Sequence, residues 1–256
     1  MRLRAWLELT RCSNLPTVWS NVAAGIAWGV HASILAYADE SPVAALRPVP
    51  DLLTVLNSAF VLIVAASLLY TAGMVLNDAF DAKIDAEERP SRPIPSDRVS
   101  RRAAFIAGGV MLALGVLACW PYAGSPWTMP LSLAIAVAIL AYNGFHARIA
   151  ATIVLVPIAR GLLAFLAALT VGGAAWGPTW IAGLHGASLV VFTLMVSAWA
   201  RGEVAGERTR YIGLGVAGIA LVDAALLAAV GQWPVAGFCV ACFCITVVAQ
   251  RFVPGS

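Results

Sequence analysis

The chain has 256 residues, 61% of them hydrophobic and 11% charged, with a mean hydropathy of +0.87 and a formal net charge of +3. So much apolar surface exceeds what a soluble core of this size hides. The small basic excess is spread over several short loops, which excludes a nucleic-acid-binding face.

What remains is an all-α polytopic membrane protein. Residues 1–17 carry Glu8 and only a short apolar segment, so no cleavable signal peptide is expected there. An amphipathic helix lying at the membrane interface, with Trp6 as its anchor, fits better. Apolar runs of bilayer-spanning length follow. Eight spans are predicted, over residues 15–37, 52–76, 102–120, 127–144, 150–171, 180–201, 211–230 and 234–252. The connections 121–126, 172–179 and 231–234 are short and nearly uncharged, and on that side only residues 38–51 carry charge. Nearly all basic residues fall on the other side: Arg2, Arg4 and Arg11, then Lys83 to Arg102, then Arg148, Arg201, Arg208, Arg210 and Arg251. The positive-inside rule therefore puts both termini in the cytoplasm, with the protein in a plasma or inner membrane. Cys239, Cys242 and Cys244 lack a second half of ligands, so they read as small helix side chains rather than a zinc site.

Span two runs into Asn77, Asp78, Asp81 and Asp85. If the helix continues, this spacing places all four on one broad face at the membrane surface. Carboxylates so close together repel each other, and a hard divalent cation such as Mg²⁺ would relieve the repulsion through oxygen ligands. The loop that follows holds Arg89-Pro90 and Arg92-Pro93, stiffened by proline and carrying forked donors for phosphate. Four spans later, Glu203 and Glu207 repeat the i, i+4 acidic pair at the end of span six. The expected architecture is one domain over 1–256, with two four-helix pseudo-repeats (1–144 and 150–256) around a central cavity. Two charges sit inside spans. Arg160 suits an anion site, while Asp223 is either functional or a hydrogen-bond partner for a neighbouring helix.

Together these residues resemble the UbiA superfamily of intramembrane prenyltransferases. Asn77 to Asp85 is similar to that family's NDxxDxxxD motif, and Arg89 to Ser96 to its RPxRPxxS stretch. Arg11 and Asn14 resemble the pair that opens its first span, and Tyr142-Asn143 its tyrosine-containing segment. Here the second motif is ExxxE rather than the usual DxxxD. The basic residue after the tyrosine is nearest matched by His146 or Arg148, and the family's typical ninth span is absent. The resemblance implies Mg²⁺-dependent transfer of a prenyl group from a prenyl diphosphate to an aromatic or other small acceptor, in contact with membrane lipid and without nucleic acid. Asn77, Asp78, Asp81, Asp85, Glu203 and Glu207 would hold the metal, and the five carboxylates among them would be the catalytic set. Substrate contacts would come from Arg11, Asn14, Arg89, Arg92, Tyr142, Asn143, Arg148, Arg160 and Arg201. The alternative is a related protein that binds or moves a lipid-linked metabolite without chemistry. A CDP-alcohol phosphotransferase lacks its motif here, and a proton-coupled transporter fits two end-of-helix acidic clusters poorly.

Overall fold

A computed structural model describes residues 2–38, 50–120, 127–172, 179–201 and 209–253. Among these residues every regular element is a helix: α1 (Arg2–Thr10), α2 (Leu15–Ala38), α3 (Leu52–Glu88), α4 (Arg101–Leu117), α5 (Thr128–Phe145), α6 (Leu155–Gly172), α7 (Thr179–Arg201), α8 (Thr209–Ala229) and α9 (Trp233–Ala249). Each predicted span corresponds to one helix from α2 onward. Six of them are long and apolar enough to cross a membrane. The other two, α4 and α9, have 17 residues each. At about 1.5 Å per residue they reach roughly 25 Å, a few ångströms less than the hydrocarbon core.

Two boundaries differ from expectation. Helix α3 does not stop near residue 76 but continues to Glu88. Nothing between Met74 and Arg89 breaks it, and Pro90 then forces the chain out of helix. Its start is capped by Asp51, whose side chain accepts from the Thr54 backbone N–H at 2.7 Å, a bond that lowers the Asp51 pKa. Helix α6 begins only at Leu155, because residues 150–154 form a 3₁₀ turn.

Helix α2 is the hub, packing against α3, α6, α7, α8 and α9. Gly25 and Gly29 allow this. A Cβ at Gly25 would strike the Ala164 carbonyl oxygen, and one at Gly29 the Ala168 carbonyl oxygen. The two backbones therefore touch, as small residues four apart permit in membrane helices. One core cluster fills the space between α2, α3, α5 and α6, and a second joins α2 and α6 to α7, α8 and α9.

Helix α1 departs from a purely interfacial role. Ala5 and Leu9 are fully buried against Val75 and Ala79 of α3, Ile94 and Val99 of the following loop, and Ala104 of α4; Trp6 lies on the same cluster. Trp6 therefore anchors to protein as well. Leu3 and Leu7 form the outer stripe and stay exposed, facing where lipid headgroups would be.

The start of α2 and the end of α9 share one face of the bundle. Gln250 donates through Nε2 both to Asn14 Oδ1 (2.9 Å) and to the Gly213 carbonyl near the start of α8 (3.1 Å). That face also carries the extended end of α3, because Arg11, just before α2, reaches Asp78.

Candidate active site

The site is built on the last three turns of α3. Because the helix does not break, Asn77, Asp78, Asp81 and Asp85 stay in register on one side of it. Around them, chain elements from three directions supply partners.

The first partner is the kink between α1 and α2. Arg11 sits in the left-handed region (φ 45°, ψ 45°), which turns the chain sharply and lets its Nη2 donate to Asp78 Oδ1 at 3.4 Å. The second is the loop 89–100. It folds back because Val99 N–H donates to the Pro93 carbonyl (3.0 Å) and Arg98 donates to the Ser91 carbonyl (2.7 Å). Arg98 also pairs with Glu8 of α1 at 2.8 Å. The loop thereby lays Arg92 over α3, where Nη1 contacts Asp85 Oδ2 at 2.7 Å and Asp78 Oδ1 at 3.3 Å. Arg101 donates to the Ala79 carbonyl (2.8 Å) and lies over the Phe105 ring. Arg98 and Arg101 thus knit this loop to α1 and α3.

The third partner comes from the end of α5. His146 Nε2 lies 3.1 Å from Asp81 Oδ2, and Nδ1 lies 3.1 Å from the Tyr142 carbonyl. The imidazole stacks on the Tyr142 ring, with centroids 4.9 Å apart. Asn77 Nδ2 donates to the same Asp81 oxygen at 3.1 Å. Both atoms facing the histidine ring are oxygens able to accept a hydrogen bond.

The predicted site residues separate as follows. Arg11, Asn77, Asp78, Asp81, Asp85 and Arg92 come together, with His146 as an addition. Asp78 and Asp85 are 5% and 4% exposed, and both are engaged by Arg92. Asn14 donates to the Tyr70 hydroxyl at 3.2 Å, just below the cluster. Asn143 is buried and donates to the Gly73 carbonyl at 3.1 Å, tying α5 to α3. Arg89 and Arg148 are exposed and stand apart from the carboxylates. Arg160 makes its hydrogen bonds to Thr17 and Asn21, not to the acidic cluster. Glu203 and Glu207 lie outside the described residues, as does the side chain of Arg201, the last residue of α7.

Among the described residues no three His, Cys, Asp or Glu side chains converge into a ready-made metal nest. What the end of α3 offers is a set of hard oxygen donors from Asn77, Asp78 and Asp81. That chemistry suits a cation that completes its shell with water and substrate oxygens.

Next to this mouth lies a pocket between α2, α3, α5 and α6, with about 680 Å³ of empty space that includes solvent at its opening. Its wall is mostly aliphatic, with Val18, Leu69, Ile135, Ile139 and Leu163 among the lining residues. The polar exceptions are Tyr70, Tyr142, Asn143 and Arg160, so the wall is not wholly apolar as composition suggests. Tyr142 belongs to both places: it lines the cavity and stacks on the histidine that meets Asp81.

Asp223 bonds neighbouring helices, one of its two expected roles, through a network whose other members sequence reading did not single out. Asp223 of α8 is fully buried and accepts from Ser20 Oγ (2.8 Å) and Asn21 Nδ2 (2.6 Å), with His185 Nε2 at 2.8 Å. The available signal was the adjacent pair Ser20-Asn21 in one apolar span and the single polar residue His185 in another.

Comparison with known proteins gives a consistent outcome. A family model described as the UbiA prenyltransferase family matches residues 34–254. A digeranylgeranylglyceryl phosphate synthase of Methanosarcina mazei is 36% identical over 115 residues, covering 45% of this chain and 37% of that protein. One of Methanoregula boonei is 35% identical over 137 residues, covering 54% and 39%. The chain thus spans well under half the length of these relatives. A solved structure described as digeranylgeranylglyceryl phosphate synthase in membranes shares the fold, with a TM-score of 0.55 over 98% of this chain and 95% of that one, at 13% identity.

Proposed function

Since the chain belongs to the UbiA prenyltransferase family, we propose that it transfers a prenyl group from a prenyl diphosphate to a small acceptor within the membrane, with Mg²⁺ as cofactor. The observation that carries this reading is the placement of an oxygen-rich carboxylate mouth on top of a mostly aliphatic cavity, with Tyr142 common to both. The diphosphate belongs at the mouth and the prenyl tail in the cavity.

Asn77, Asp78, Asp81 and Asp85 would hold Mg²⁺, with Glu203 and Glu207 of the second half completing the set. The metal would neutralise the diphosphate and make it a better leaving group. Arg11 and Arg92, already positioned over Asp78, supply donors where negative charge accumulates on the departing oxygen. The allylic C–O bond breaks, and its electron pair leaves with the diphosphate. A nucleophilic atom of the acceptor forms the new bond to the allylic carbon and loses its proton. Aliphatic walls keep water from intercepting the allylic cation as an alcohol. Both termini and the mouth would face the cytoplasm, on the side with the basic loops.

The test uses purified chain with prenyl diphosphates of several lengths and a panel of acceptors, read by mass spectrometry with and without EDTA. Prenylated product that requires Mg²⁺ and disappears in Asp78→Ala and Asp81→Ala is the expected result. Product retained by both variants, or formed undiminished in EDTA, removes the mechanism.

A further inference from the structure

Helix α1 has three faces. Ala5 and Leu9 are fully buried on α3, the loop after it and α4. Arg4 and Glu8 share one edge as an i, i+4 pair, Nε to Oε1 at 3.3 Å. The third face points away from the bundle, and it carries leucines: Leu3 is 74% exposed and Leu7 37%. Thr10 shares that face, three residues after Leu7. Its hydroxyl turns back to the Trp6 and Leu7 carbonyls at 3.0 and 3.2 Å, so its donor is spent inside the helix and not on water. A helix bathed in water would carry its charges on this outer face.

The depth of α1 is fixed by what it packs on. Ala5 and Leu9 meet Val75 and Ala79 of α3. These flank the point where the apolar run ending at Leu76 gives way to Asn77 and Asp78. In a chain that spans the bilayer, that is the level of the boundary between headgroups and acyl chains. Leu3 and Leu7 enter the acyl edge there. The Arg4 side chain is 79% exposed and pairs through Nε alone among the described residues, which leaves its outer edge for a lipid phosphate.

Both arginines of the mouth hang from α1. Arg11 follows it directly: its backbone N–H donates to the Glu8 carbonyl at 3.2 Å, and its Nη2 reaches Asp78. Glu8 Oε2 takes Arg98 Nη1 at 2.8 Å, and Arg98 holds the Ser91 carbonyl of the loop that lays Arg92 over Asp78 and Asp85. A shift of α1 is thus passed to both guanidinium groups.

From this geometry we infer that the outer face of α1 docks on the membrane surface, with acyl chains against Leu3 and Leu7 and an anionic headgroup at Arg4, and that this attachment holds Arg11 and Arg92 over the carboxylates. The lipid surface is then a partner of the site, and Leu3, Leu7 and Glu8 are positioning residues. The docking does not depend on prenyl transfer; only the turnover measurement below rests on that reading.

The full chain is reconstituted in nanodiscs of phosphatidylcholine with and without phosphatidylglycerol, one copy per disc, and amide hydrogen exchange is followed by mass spectrometry. Peptides from α1 are expected to exchange about tenfold more slowly in the wild type than in Leu3→Ser/Leu7→Ser, a difference that two leucines leaving the lipid edge supply. That variant leaves the buried Ala5 and Leu9 untouched. Leu3→Phe/Leu7→Phe restores the protection. Phosphatidylglycerol slows α1 exchange by about a further fivefold, the scale of one basic side chain at an anionic surface, and Arg4→Gln loses that increment. Loop 89–100 loosens together with α1 in the serine variant, and in Glu8→Ala it loosens while α1 stays protected. Equal α1 exchange in the wild type and the serine variant overturns the docking. Protection that needs two copies per disc assigns the face to a second chain and overturns the lipid reading. A loop that stays protected when α1 loosens overturns the coupling. In turnover, the serine variant raises the prenyl-diphosphate KM without moving the thermal midpoint, and the phenylalanine variant brings it back; an unchanged KM overturns the coupling. Lipid-dependent exchange without prenylated product even from the wild type counts against the transferase reading alone.

Discussion

Two carboxylate networks sit at different depths in this bundle, and they are built in opposite ways. At the mouth, Asp78, Asp81 and Asp85 meet Arg11, Arg92 and His146, all charged or chargeable groups drawn from α3, a loop and two helix ends. In the interior, Asp223 has Ser20, Asn21 and His185 closed around it with no exposure. The mouth gathers more charge than it needs for folding and leaves donors and acceptors available to a ligand. The interior network is closed on itself, so its carboxylate acts on the cavity only through Asn21. Depth therefore separates the two: ion pairs gather at the mouth, and a closed hydrogen-bonded carboxylate sits within the bundle.

The sharpest way to break this contrast is to remove one carboxylate from each network and read both activity and stability. Asp81→Ala is expected to lower prenyl transfer by about a thousandfold, the scale of losing electrostatic stabilisation at a reacting centre. Its unfolding midpoint in detergent should move little, because Asp81 is only partly buried. Asp223→Ala should do the reverse in kind. It strands Asn21 Nδ2 and His185 Nε2, while Ser20 keeps the Thr17 carbonyl, and is expected to cost about 3 kcal/mol of stability, measured by denaturant unfolding in detergent. Equal stability losses in the two variants would erase the distinction.

A packing change sharpens the comparison without touching either network. Gly29→Leu places a side chain where the Ala168 carbonyl stands. The overpacking should cost about 2 kcal/mol and lower the yield of folded protein. The smallest effect is expected for Asn143→Ala. Losing its bond to the Gly73 carbonyl should cost about 1 kcal/mol in thermal unfolding and loosen the α5 wall that carries Tyr142 and His146.

The mouth was legible in the sequence because its carboxylates lie within nine residues of one helix, and helical spacing alone aligns them. The proline-bearing loop after them was legible for the same local reason. His146 was seen only as the nearest basic residue after a tyrosine. Its contact with Asp81 spans 65 positions and depends on how α5 docks on α3. The Asp223 network was harder still. Its members are one or two polar residues in otherwise apolar runs, and only tertiary packing shows that Ser20 and Asn21 meet a residue about 200 positions away. The length of α3 could have been read, since no glycine or proline follows Gly73 until Pro90. So could Gly25 and Gly29, whose four-residue spacing is the usual mark of closely packed membrane helices.

The seating of α2 directly on α6 fixes one side of the bundle. With main chain resting on main chain at Gly25 and Gly29, neither helix has slack to retreat. The opposite wall is looser: Gly73 of α3 faces Ile139 of α5, and a methyl group added at residue 73 would meet that side chain at 3.4 Å, an ordinary contact.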